Sequence, residues 1–256
     1  MRTTVRRGSQ HGQEYQEDLA YIHDAGFSGY CLRAAPGVLA LLRRSGIRDG
    51  LLVDLGSGSG RWAHELARSG YGVLGVEQSA AFVRLARRVA PEARFVHASL
   101  WEAKLPRCAA VTSLGECLNY GGRRSGRALA GLFRRILKAL KPGGVFVFDA
   151  AGAERIPANG PRRWWTEGRD WAVLVENAGK SDELRRRIVC FRGSRHGYRR
   201  TEEVHHVGLY QPQEMLDALA RAGFQAKAVT GFGRFELPEG ITGFVARKPA
   251  APEAWE

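Results

Sequence analysis

Apolar positions recur along this chain with two different periods, and the points where the period changes divide it into elements. Tyr15, Leu19 and Ile22 fall at helical spacing; the stretch Gly26-Phe27-Ser28-Gly29-Tyr30 breaks that pattern, and Ala35 to Ser45 resumes it with Val38, Leu41 and Leu42. Short apolar runs of strand length follow at Leu51 to Val53, Gly72 to Val76, Ala93 to His97, Ala109 to Ser113 and Val145 to Asp149. Amphipathic segments lie between them: Arg61 to Ser69, a helix capped by Ser79 and running to Val89, and Arg127 to Leu140 with Leu129, Leu132, Phe133, Ile136 and Leu137 on one face. Strands alternating with helices at this rhythm predict a doubly wound α/β sheet.

From Trp164 the pattern changes. Asp170 to Asn177, Glu183 to Phe191 and Tyr198 to Leu209 are strand-like runs separated only by turn residues, so they must pair antiparallel. A helix at Gln211 to Ala222, ended by Gly223, and strands at Phe224 to Thr230 and Ile241 to Arg247 complete the chain. The expected organisation is a main domain from residues 14–160 and 211–248, an inserted antiparallel β subdomain at 161–210, and disordered termini at 1–13 and 249–256.

The most informative segment is Val53-Asp54-Leu55-Gly56-Ser57-Gly58-Ser59-Gly60-Arg61-Trp62, a buried strand running into a glycine turn and then a helix. Glycines let a ligand lie directly on the backbone, while the helix N-terminus points free N–H groups at it. The spacing is G-x-G-x-G with arginine at position 61, which departs from the G-x-G-x-x-G of dinucleotide sites and disfavours NAD. With Asp54 before the first glycine and Glu77 closing the second strand 21 positions after Gly56, the segment resembles motif I of the class I S-adenosylmethionine (SAM) dependent methyltransferases. The Leu140-Lys141-Pro142-Gly143-Gly144 turn before the fifth strand is similar to the same family, and the likeness runs from about residue 14 to 150.

That resemblance implies a Rossmann-like seven-stranded sheet and SAM as cofactor. Asp54, Gly56, Ser57, Gly58 and Gly60 would hold its amino acid part, and Glu77 with the adjacent Gln78 its ribose, a carboxylate being an acceptor matched to a vicinal diol. Ser99 stands where many members carry an acid for the adenine amine, and Leu100 would wall the ring. Leu114 and Gly115 would border the cofactor after the fourth strand, and Tyr15 would cover it from the N-terminal helices, with Tyr21 and Tyr30 as further cover residues.

Ligands of open α/β sheets sit beyond the carboxyl ends of the strands, so the loop Leu114 to Gly122 faces the same crevice. Its Glu116, Asn119 and Tyr120 provide an acid, an amide and a phenol able to orient a nucleophile and take its proton; the alternative is that Asn119 and Tyr120 pack the turn. Alternation along the last inserted strand places Arg200, Glu202, Val204 and His206 on one face and Thr201, Glu203, His205 and Val207 on the other. If the first face lines the crevice, His206 becomes a candidate base and Arg200 an anchor for an acidic substrate.

Composition narrows the function classes. The net charge of +13 invites a nucleic-acid reading. However, 33 of the 39 basic residues are arginines spread over most elements, so a nucleic-acid partner is not favoured unless Arg123-Arg124, Arg162-Arg163, Arg185-Arg186-Arg187 and Arg199-Arg200 converge. Four scattered cysteines indicate neither a zinc site nor a disulfide framework, and no metal is implied. No apolar run nears the roughly 20 residues of a membrane span, so a soluble, cytoplasmic protein is expected. The reading is therefore SAM-dependent methyl transfer to an N or O nucleophile of a small molecule. The alternatives are an RNA or protein methyltransferase and a non-catalytic SAM-binding module.

Overall fold

The computed structural model of the chain describes residues 14–195 and 197–250; of the segments expected to be disordered, 1–13 and all of 249–256 but its first two residues lie outside them. Two helices, α1 (Glu17–Phe27) and α2 (Gly29–Arg44), precede the sheet. The sheet strands are β1 (Leu51–Leu55), β2 (Gly72–Glu77), β3 (Arg94–His97), β4 (Cys108–Ser113) and β5 (Leu140–Ala151), interleaved with α3 (Arg61–Arg68), α4 (Ala80–Val89) and α5 (Gly126–Ala139). There follow β6 (Arg162–Glu167), β7 (Trp171–Lys180), β8 (Glu183–Ser194), β9 (Gly197–Gly208), α6 (Pro212–Ala222), β10 (Gln225–Val229), the short β11 (Gly231–Phe232) and β12 (Phe235–Glu236), and β13 (Ile241–Arg247).

The seven-stranded sheet has the order β10-β13-β5-β4-β1-β2-β3. Strands β1 to β5 pair in parallel, whereas β13 joins β5 and β10 joins β13 antiparallel. Because side chains alternate across a strand, neighbouring residues of β1 enter different cores. Val53 and Leu55 pack with α5 and α6, while Leu52 packs with α2, α3 and α4. Helices thus cover both faces, which explains why the central strands read as unbroken apolar runs.

A separate antiparallel sheet, β6-β7-β8-β9, stands between β5 and α6. Its inner face buries Val173, Val175, Ile188 and Cys190 against Leu19 and Ile22 of α1. It has four strands where the pattern predicts three, because β6 carries almost wholly exposed side chains and shows no alternation of burial. The predicted helix break over residues 26–30 is present, at Ser28. Helix α1 runs past Gly26, ends at Phe27 and meets α2 at a bend of 58°. Gly26 is there for clearance, since a Cβ would come within 2.6 Å of the Trp171 ring. Among the described residues no single helix is long and apolar enough to cross a membrane.

Candidate active site

At the end of β1, Gly56, Gly58 and Gly60 all take positive φ, of 72°, 52° and 82°. At Gly56 the requirement is also steric, because a Cβ would lie 2.5 Å from Cys117 Sγ. Glu77 closes β2 directly beneath this turn. Its two oxygens accept from Gly58 N at 2.9 Å and Ser79 N at 2.7 Å, and the Ser79 hydroxyl in turn caps α4. Burial raises the Glu77 carboxyl above its ordinary range, with backbone donors partly offsetting the effect. Asp54 is buried, accepts from the Thr112 hydroxyl at 2.8 Å, and is pushed up to about 7 by desolvation.

A cavity of about 370 Å³ opens on this turn. Asp54, Gly56, Ser57, Gly58, Glu77, Gln78, Leu100, Leu114 and Gly115 line one side of it. The other side is made by Tyr15, His23 and Phe27 at the N-terminus, Glu116 and Tyr120 after β4, and Trp164, Asn177 and Arg186 from the antiparallel sheet.

Tyr15 is fixed at every group it has. Its φ is +59°, its N–H donates to Glu203 at 2.7 Å, its carbonyl accepts from Ser79 Oγ at 2.6 Å, and its hydroxyl meets the Tyr120 hydroxyl at 2.7 Å. Glu203 also accepts from Gln16 N at 2.9 Å, so one carboxylate on β9 holds the N-terminus of α1, where a negative charge is favoured.

Loop 114–120 is organised by Asp149 at the end of β5. This buried carboxylate accepts from Gly115 N at 2.9 Å, Glu116 N at 2.6 Å and the Tyr30 hydroxyl at 2.9 Å. Consecutive N–H groups converging on one anion form a backbone nest, and here they hold Glu116 in a left-handed conformation (φ 62°, ψ 23°) that a non-glycine residue rarely adopts. Burial pushes Asp149 up to about 6 despite these donors. The Glu116 carboxylate lies 3.6 Å from Arg186 and 3.9 Å from Arg155, and its Oε2 makes no hydrogen bond. Arg186 donates to the Tyr120 hydroxyl at 3.0 Å, and burial pushes that phenol up to about 12, so it is protonated at neutral pH.

The donor set suits SAM. Carboxylates carry about four acceptor positions, so Asp54 and Glu77 keep capacity toward the cavity, and Leu100 and Phe82 offer apolar surface beside them. The family described as a methyltransferase domain matches residues 52–144, from within β1 to the start of β5. Over those residues the chain matches the methyltransferase-domain family, and its fold is that of SAM-dependent methyltransferases.

Solved structures extend the likeness over the whole fold. A SAM-dependent methyltransferase from Clostridium acetobutylicum matches with a TM-score of 0.78 at 16% identity, covering 90% of this chain and 98% of that one. A sugar N-methyltransferase from Streptoalloteichus gives 0.75 at 22%, covering 97% and 98%. An amino pentose methyltransferase from Micromonospora echinaspora, solved with SAM bound, gives 0.73 at 22%, covering 92% and 98%. No curated protein matches the chain.

Several expected site residues lie elsewhere. His206 is nearly half exposed and pairs with Glu183 at 2.7 Å, and Arg200 pairs with Glu202; neither lines the cavity. The inward face of β9 is the other one, with Glu203, His205 and Val207 buried. Asn119 is fully buried and binds backbone only, donating to the carbonyls of Ala151 and Gly208 and accepting from Ala151 N, so it joins the loop to β5 and β9. Ser99 accepts from Trp101 N within its own turn and is not a lining residue. Gly60 lies behind the turn, where a Cβ would press on Ala86 and Phe95 at 3.0 to 3.2 Å; its role is to let α3 approach α4 and β3. Tyr21 hydrogen-bonds Asp170 outside the cavity, whereas Tyr30 lines it.

Sequence reasoning missed Arg186, Asp149, His23 and the bidentate pair of Arg61 with Asp24. Asp149 was visible as an acid at a parallel strand's carboxyl end; the others depend on long-range contacts. The arginine clusters do not form an unbroken basic face: Arg163 pairs with Glu176, Arg187 with Glu202, Arg199 with Asp18, and Arg123 with Asp182 and Glu214.

Proposed function

We propose that the protein methylates a small-molecule acceptor at a nitrogen or oxygen nucleophile, using SAM. The observation that carries this reading is the juxtaposition of the glycine turn with the Glu116, Tyr120 and Arg186 cluster across one cavity roofed by α1 and the antiparallel sheet. When bound, SAM supplies an electrophilic methyl group on a sulfonium leaving group. The protein's part is then alignment and exclusion of water. The nest-held Glu116 carboxylate would accept the nucleophile's proton, while Arg186 and the protonated Tyr120 fix its position. The neighbours named for sugar and amino pentose methylation agree with an acceptor of small size, and the interleaving of arginines with acids gives no support to an RNA partner.

The test is transfer of labelled methyl from SAM into fractions of a cell extract. Label in the low-molecular-weight fraction, falling about a hundredfold with Glu116→Gln while S-adenosylhomocysteine (SAH) still binds, is the expected result. Label confined to RNA or protein would refute the assignment of acceptor.

A further inference from the structure

The antiparallel sheet presents its inner face to the cavity in rows whose chemistry changes along the strands. Register places Asn177 opposite Arg186, Val175 between Trp164 and Ile188, and Val173 opposite Cys190. The first row is polar and adjoins Glu116, with Arg186 donating to Tyr120 and to Asn177. In the next two rows the members that line the cavity, Trp164, Val175, Ile188 and Val173, are apolar, while Glu203, Thr166 and Thr201 complete those rows outside the lining. Val173, Val175 and Ile188 are all at least 95% buried, and Trp164, 37% exposed, leans on Phe27 of α1 with ring centroids 6.2 Å apart. Rows on one face of a strand repeat every two residues, about 7 Å, so the apolar stretch extends roughly 14 Å from the polar row.

A sugar laid on this face would press its hydroxyls against Val173, Val175 and Ile188, which offer nothing in place of the water they lose; His23, beside Phe27, leaves one buried nitrogen, Nδ1, without a partner, too few for a polyol. A flat apolar body would lose no hydrogen bonds there and would gain from leaving water. We propose that the acceptor is an amphiphile with a flat apolar body of one or two rings and a single hydroxyl or amine at one end. That end lies in the Asn177 and Arg186 row beside Glu116, and the body lies on the Trp164 and Val173 rows. The proposal rests on the SAM-dependent reading above, and it departs from the sugar chemistry named for two of the structural neighbours.

The experiment is calorimetric titration of the SAH-saturated protein with 2-naphthol, phenol and glucosamine, on the parent and on Trp164→Ser and Val175→Thr. The first variant changes a partly exposed edge residue, and the second is isosteric, so SAH affinity within twofold of the parent certifies both folds. The expected result is binding of 2-naphthol at least tenfold tighter than of phenol, no measurable binding of glucosamine, and about a tenfold loss of 2-naphthol affinity in each variant. Glucosamine binding as tightly as 2-naphthol, absence of 2-naphthol binding, or variants indistinguishable from the parent would overturn the proposal while leaving the cofactor reading intact. Failure of SAH to bind the parent would overturn both.

Discussion

Replacing Asp149 with asparagine should separate stability from activity. The carboxylate is fully buried, and burial outweighs its three donors, so it titrates at about 6 in the folded protein against about 3.9 in an unfolded chain. Between those values the folded state binds more protons than the unfolded one, so this group's contribution to stability falls as pH rises from about 4 to 6 and stays low above that. The difference of roughly two units corresponds to about 3 kcal/mol spent at pH 7 on keeping the buried charge. Asparagine has the same shape and no charge; its carbonyl can still face Gly115 and Glu116, and its amide can donate to the Tyr30 oxygen. Asp149→Asn should therefore be as stable as the parent or up to about 3 kcal/mol more stable at pH 7, with the gain shrinking toward pH 4. Urea unfolding at both pH values measures this. The neutral nest holds the left-handed Glu116 less firmly, so kcat should fall at least tenfold. A variant destabilised at pH 7 by more than about 2 kcal/mol, with the parent's pH slope, would show the charge to be stabilising and the reasoning wrong. An unchanged kcat would show that the nest does not position Glu116.

Binding of SAH should tighten by up to about tenfold between pH 6 and 8, most of it below pH 7, and level off above that, because a cationic amino group favours the ionised form of Asp54, which is pushed up to about 7. Calorimetry should detect proton release that Asp54→Asn abolishes, and a flat affinity from pH 6 to 8 would sink the assignment. Glu77→Ala removes the acceptor for Gly58 N and Ser79 N as well as the acceptor for the ribose, and should weaken SAH binding by roughly 1 to 3 kcal/mol. Gly56→Ala places a methyl group against Cys117 at positive φ and should lower stability by about 1 to 3 kcal/mol in thermal unfolding; an unchanged melting temperature would contradict the contact.

The main sheet was legible because its strands are buried on both faces and its helices on one, which leaves two unmistakable periods in the chain. The glycine turn was legible because positive φ restricts residue type. The acceptor side was not. Along β9 both faces carry charged and imidazole side chains, so alternation separates Arg200 and His206 from Glu203 and His205 without saying which pair points inward. What decides it is the contact of Glu203 with Tyr15 and Gln16, 188 and 187 residues away. The break over residues 26–30 was legible, although Gly26 itself makes room for Trp171 and the bend comes after it, at Ser28.

The fixing of Tyr15 bears on the order of events in a catalytic cycle. One residue closes the cofactor side through Ser79 and Phe82 and also completes the acceptor side through Tyr120. If cofactor exchange requires Glu203 to release the start of α1, it also dismantles the place where the acceptor sits. The cofactor should therefore bind first and its product leave last, a compulsory sequence that product-inhibition patterns would reveal as competition between SAH and SAM alone; random patterns would show that the roof opens without disturbing Tyr120.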